Sequence, residues 1–147
     1  MKEGFAFALH HDGGEHLVIG ESTILVRATG SVTEGAYTLF DMVPPLADTP
    51  PHVHEREDEL YFVLEGEHVF TVGEQEFSVG PGDVVFGPRG IPHAHRRVMP
   101  GAGRLLALTS PAGYEGFVRE LAEAHDAESL GPDELARISE QYGITWL

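Results

Sequence analysis

The sequence predicts an all-β barrel or sandwich followed by two amphipathic helices, and three observations carry that prediction. From Phe5 to about Ser110 the chain is a succession of short β-prone runs broken by Gly, Pro and acidic turns. After Pro111 the apolar period changes from two to between three and four. The third observation is chemical: PPHVHEREDELYFVLEG, residues 50–66, sets two imidazoles and a carboxylate at the mouth of an alternating strand.

Taken in order, the strand candidates are Phe5–Leu9, Leu17–Ile19, Thr23–Ala28, Ala36–Val43, Leu60–Leu64, His68–Val72, Glu76–Val79, Val84–Phe86, His93–Val98 and Leu105–Thr109. His68–Val72 and Glu76–Val79, joined through Gly73-Glu74-Gln75, read as a hairpin. Gly82 opens a turn into a buried strand, and Pro88 with Gly90 builds the next. In the tail, Tyr114, Phe117, Val118 and Leu121 share one helical face, and Leu135, Ile138 and Tyr142 share another. Pro132-Asp133-Glu134 starts the second helix and Gly143 stops it. Residues 1–110 are expected to form the barrel, with 111–147 packed on it within the same domain.

Composition narrows the function. The 147 residues include no cysteine, which excludes disulfides, iron–sulfur ligation and thiolate zinc sites. A formal charge of −15 repels phosphate backbones and anionic bilayers, so neither nucleic acid nor membrane is an expected partner. The apolar stretch in MKEGFAFALHH is too short for a secretory signal, and the expected location is the cytoplasm.

His52 and His54 lie two apart, so an extended backbone sends both to one face. Glu59 follows across the bend Glu55–Asp58 and shares a face with Tyr61 and Val63. Two imidazoles and a carboxylate converging from one bend could form a facial metal triad with open positions. A His-rich surface bend is the plainer alternative. A second segment, GPGDVVFGPRGIPHAHRR at residues 80–97, adds His93 and His95 at the start of another strand.

Here the chain resembles the cupins. His52-x-His54-x4-Glu59-x6-Gly66 matches the first cupin motif from its first His onward, and Gly82-x5-Pro88-x-Gly90-x2-His93 matches most of the second. The resemblance covers about Thr38 to Leu108, and the tail segments GYEGFVREL and QYGITWL are similar to those of quercetin-dioxygenase-like bacterial cupins. It implies a cupin double-stranded β-helix (jelly-roll barrel) with two C-terminal α-helices. It also implies one divalent transition metal per chain, Fe, Mn, Ni, Cu, Co or Zn, bound by His52, His54, Glu59 and His93, and a homodimer formed through N-terminal strands. Two positions depart from the pattern. Leu46 replaces the usual Gly before the first motif, which is expected to alter the approach loop, and Arg97 replaces the Asn that ends the second.

Glu59 is then both ligand and candidate base, and Tyr61 is a candidate proton donor or a packing aromatic. Phe40, Phe70, Phe77 and Phe86 read as core, with Phe70 and Phe86 also candidate pocket walls beside Phe40. His95 is either an extra ligand or acid–base group, or a histidine nearer the barrel mouth. Arg97 either binds an anionic substrate group or snorkels to the rim. His10, His11, His16, His68 and His125 read as surface residues, and Glu55, Glu57 and Asp58 as a solvated bend. The expected activity is oxygenation of a small aromatic or enolisable substrate. The alternatives are a non-redox cyclase or isomerase, and a non-catalytic ligand- or metal-binding barrel.

Overall fold

In the computed structural model, residues 6–46, 48–99 and 103–147 are described. The elements are β1 (Glu15–Ile19), β2 (Ser22–Ala28), α1 (Gly30–Thr33), β3 (Thr38–Met42), β4 (Thr49–His54), β5 (Asp58–Glu65), β6 (His68–Val72), β7 (Gln75–Val79), β8 (Val84–Gly87), β9 (His93–Arg97), β10 (Arg104–Ser110), α2 (Tyr114–Asp126), α3 (Pro132–Gln141) and β11 (Ile144–Trp146). They build two antiparallel sheets, β1-β2-β3-β10-β5-β8 and β11-β4-β9-β6-β7. Chain neighbours such as β4 and β5 therefore fall in opposite sheets, so their inward faces meet across the barrel.

Side-chain alternation supplies the interior. On β5, Glu59, Tyr61 and Val63 point in while Leu60 and Phe62 stay exposed; on β10, Leu105, Ala107 and Thr109 are buried. Phe70, Val63, Val85 and Leu105 close one end of the core. At the other end Ile24, Val26, Phe40 and Ala107 pack with Phe117, Val118, Leu121, Ala124, Ile138 and Ile144 from the tail. The helical segment thus completes the barrel core. Glu115 fixes where α2 begins: its carboxylate accepts from the Gly30 and Gly113 backbone N–H groups at 3.1 and 2.8 Å and from the Thr38 hydroxyl. No helix among the described residues is long and apolar enough to cross a membrane.

The β6–β7 hairpin forms with Val72 opposite Gln75, and Gly73 takes the positive φ of 60° that so short a turn requires. Four local readings need correction. Ala6–Leu9 is not a strand, and Phe5 lies outside the described residues. The guanidinium of Arg27 instead donates to the carbonyls of His10, His11 and Gly13, which anchors this segment to the sheet without a ladder. β4 is missing from the sequence-based candidates because Pro50 and Pro51 supply no ladder donor; its pairing with β9 shifts register between Thr49 and His52. The tail does not end in helix, because Gly143 is followed by β11. Finally, the four-residue α1 escapes a periodicity test.

Candidate metal centre

Strand geometry brings the site together. β4 presents His52 and His54 to the interior, β5 presents Glu59 from the facing sheet, and β9 presents His93, whose Cα pairs with that of His52. The bend between β4 and β5 is clamped from outside. Gly90 N–H donates to the His54 carbonyl and Glu55 N–H to the Gly143 carbonyl, both at 2.9 Å, while Arg89 pairs with Asp58. His52, His54, His93 and Glu59 are all buried, between 1% and 6% exposed.

Each imidazole is tethered by Nδ1. His52 Nδ1 lies 2.8 Å from the Pro50 carbonyl, His54 Nδ1 2.9 Å from Glu57 Oε1, and His93 Nδ1 3.5 Å from the Ile91 carbonyl. A carbonyl can only accept, so the tethered edge of His52 and His93 carries the proton and Nε2 is left with its lone pair. That is the arrangement by which outer partners orient imidazole ligands. The ligand atoms of the three histidines fall within 4.8 Å of one another. His54 Nε2 stands 2.8 Å from Glu59 Oε1 and His93 Nε2 3.6 Å from Glu59 Oε2. The first contact is an ion pair not aligned as a hydrogen bond and the second is too long for one, so two buried ring nitrogens face a buried carboxylate without a hydrogen bond. Buried polar atoms are rarely left so. A divalent cation would satisfy both, and the residues fit a metal.

The charges follow from this crowding. Burial, then the neighbouring His93, lowers His52 to about 4. Burial pushes His54 the same way, but the Glu59 and Glu57 carboxylates prevail and raise it to about 9. Burial would raise Glu59, yet His54 and His93 hold it well below the usual carboxylate range.

Beside this cluster lies a cavity of about 70 Å³. Its wall is mainly hydrocarbon, from Ile24, Phe40, Met42, Leu105, Ala107 and Val118, and its polar residues include His52, Glu59, Tyr61, His95, Thr109 and Tyr114. Among the candidate pocket residues, Phe40, Tyr61 and His95 reach it. Tyr61 donates its hydroxyl proton to Glu59. Phe70 is fully buried behind them, its ring 4.8 Å from both Tyr61 and His95. Leu46, the approach-loop departure, joins the cavity wall itself.

Phe86 has to be withdrawn as a pocket wall and as core. It is 55% exposed, because the phase of β8 turns Val85 inward, and Phe77 is likewise exposed on the outer strand β7. Arg97 does not line the cavity around the histidines. Its side chain is nevertheless only 6% exposed, so it does not snorkel to the rim. His68 is not at the surface but 1% exposed, with Nδ1 3.1 Å from His95 Nε2 and Nε2 donating to the Glu65 carbonyl at 2.9 Å. Glu57 is buried at 4% and serves His54, unlike the exposed Glu55.

Two residues at the site were not among the sequence-based candidates. Tyr114, first residue of α2, lies with its ring 4.7 Å from His54, and burial followed by Glu59 and Glu57 keeps its phenol protonated. Trp146 on β11 lies 4.9 Å from His52 and is held by its indole N–H on Ser139. No short-range spacing signals either, since both arrive from the tail.

His52→Ala, His54→Ala and His93→Ala should each strip most bound metal while leaving the circular dichroism spectrum folded; three variants at full occupancy would refute the assignment. Glu57→Gln should weaken metal affinity by roughly ten- to a hundredfold, as expected of a residue that only orients a ligand.

A pH prediction concerns the metal-free protein. His54 is raised above its unfolded value, so its contribution is complete below about pH 6.5 and lost as pH rises through about 9. His52, lowered to about 4, contributes above 6.5 and loses its share as pH falls toward 4. The urea midpoint of chelator-treated protein should therefore decline from near neutrality toward pH 9, and His54→Gln should flatten that alkaline limb alone.

A family model described as the cupin domain matches residues 39–109. No curated protein matches the chain. Among solved structures, it is similar to KdgF from Halomonas sp., at 19% identity over 74% of this chain and 97% of that one, with a TM-score of 0.62. The polyketide cyclase RemF from Streptomyces resistomycificus is 24% identical over 72% of this chain and 80% of that one, with a TM-score of 0.60. An RmlC-like cupin from Shewanella frigidimarina is 21% identical over 78% and 96%, with a TM-score of 0.61. Identities this low speak to fold alone. Residues 39–109 thus match the cupin domain, and the two facing sheets are the fold this chain shares with those cupin structures.

Proposed function

We propose that the protein is a metal-dependent oxygenase of a small aromatic or enolisable substrate, with the ion held by His52, His54, His93 and Glu59. The observation that carries this reading is the pair of unpartnered Nε2 atoms facing Glu59 beside a cavity walled by hydrocarbon. A divalent transition ion there would supply Lewis acidity and, if redox-active, electrons to dioxygen. The protein's own residues do the rest. Glu59 accepts the proton of a substrate hydroxyl, and the Tyr61 phenol supports the carboxylate and can return a proton. The apolar wall excludes water and favours a planar carbon skeleton. Pro45 and Leu46 form part of the wall that a substrate meets there.

One arrangement favours a second reading, a non-redox cyclase or isomerase: the Tyr61 phenol is hydrogen-bonded to the Glu59 carboxylate, an acid and a base side by side at the cavity. Its fold is shared with a polyketide cyclase. Elemental analysis of protein purified without a chelating tag, followed by oxygen-electrode assays on catechols and enolisable ketones, separates the two. Iron, manganese, nickel or copper near one equivalent with oxygen uptake is expected. Zinc with turnover and no uptake would establish the second reading, and a metal-free protein that takes up none would end both.

The protein also acts, we propose, as a homodimer. The outer face of β5 and β8 sets exposed Leu60 opposite Phe86 and exposed Phe62 opposite Val84. For chains carrying −15 each, an uncharged apolar face is where two copies meet with least repulsion. Light scattering should give a dimer at micromolar concentration that Phe62→Asp dissociates; a wild-type monomer would overturn it.

A further inference from the structure

Two buried histidines stand outside the ligand set, His68 at 1% exposure and His95 at 8%. The group that could hold an ion is His52, His54 and His93, and His95 does not belong to it. By alternation His95 follows His93 inward along β9, about 7 Å further on, and lines the same cavity as Glu59 and Tyr61.

A chain of hydrogen bonds fixes what its ring offers there. The Glu65 carbonyl can only accept, so His68 Nε2, 2.9 Å away, carries a proton. A second proton on either ring would put a buried charge beside Arg97, the strand partner of His68, so both imidazoles are neutral. His68 Nδ1 then holds a lone pair, and its 3.1 Å contact is a donation from His95 Nε2–H. That spends the one proton of His95 and leaves its Nδ1 an acceptor. Among the described residues Nδ1 has no protein partner. It is also not one of the four unpartnered atoms closed off from water, His54 Nε2, His93 Nε2, Arg97 Nη1 and Thr109 Oγ1. Backbone holds the His68 ring in place: a Cβ on Gly103 would lie 2.8 Å from its Cε1, and one on Gly66 3.3 Å from its Nε2.

We propose that His95 is a specificity-determining residue that accepts a hydrogen bond from the substrate through Nδ1, with His68 as the positioning residue that fixes its tautomer. The substrate then carries a hydroxyl or N–H group besides the oxygen directed at the metal. This deepens, and rests on, the reading of the centre as a metal-dependent enzyme site. Glu59 and His95 ask for one donor each, and an acceptor left unpaired in an apolar cavity penalises a ligand that lacks the second. The fitting compounds are aromatic diols and aminophenols rather than singly substituted rings.

The test uses resorcinol and m-cresol, near-isosteres that differ by one hydroxyl, on zinc-titrated full-length protein with isotope-labelled histidines. NMR should show His95 protonated at Nε2 alone, and resorcinol should move its Nδ1 resonance. Calorimetry should give resorcinol a preference of roughly tenfold over m-cresol, which His95→Phe abolishes. His68→Gln, whose amide can accept from His95 and donate to the Glu65 carbonyl, should keep the His95 tautomer; His68→Leu should lose it. A proton on His95 Nδ1, a resonance unmoved at saturating resorcinol, or the absence of any preference between the two probes overturns the proposal. Metal content of the same samples keeps the readings apart. Protein that takes up no ion yet binds resorcinol at His95 loses the enzyme reading alone; protein that loads zinc while Nδ1 stays unmoved loses the acceptor alone.

Discussion

The structure turns on one constraint: the Glu59 carboxylate is enclosed at 3% exposure, facing imidazoles whose outer edges are tied down. A carboxylate removed from water must be compensated, and at this depth only a cation or a set of donors can do so. In the metal-free protein His54 takes the part by holding a proton well above its normal range. A divalent ion held by these residues would take over that compensation, and His54 would have to release its proton to bind it.

The rest of the fold serves that enclosure. Placing β4 and β5 in opposite sheets makes the bend between them the hinge on which ligands from both sheets meet. Glu115 fixes the start of α2, and so puts Tyr114 against His54. His68 packs so tightly against Gly103 that a Cβ there would come within 2.8 Å of its ring, and it in turn holds His95 in the cavity wall. The polar interior is thus arranged in two tiers, a metal-directed tier and the His68–His95–Arg97 tier beyond it.

Much of the first tier was legible in sequence because it rests on period two and on spacing. His52 and His54 share a face by alternation, Glu59 follows across one bend, and His93 enters through a recognisable second motif. What stayed hidden depends on partners distant in the chain. Glu57 looks like one more charge in a solvated acidic bend, and only the inward turn of His54 shows its task. His68 has no ligand spacing and is buried by β9, which lies twenty-five residues away at His93. Phe86 was misread for a different reason: its size suggested burial, but strand phase gives the inward place to the smaller Val85.

The pairing of β11 with β4 has a consequence for the order of assembly. Ile144 and Trp146 lie opposite His54 and His52, so the strand carrying two ligands is an edge strand until residues 144–146 dock on it. An edge that exposes unpaired amides and two imidazoles is a liability to a half-folded chain, open to stray strands and stray ions alike. About ninety residues separate the two partners, so this closure is a non-local contact. Ile144 also belongs to the core, so the three residues that close the ligand-bearing edge are the ones that help complete the packing beneath it.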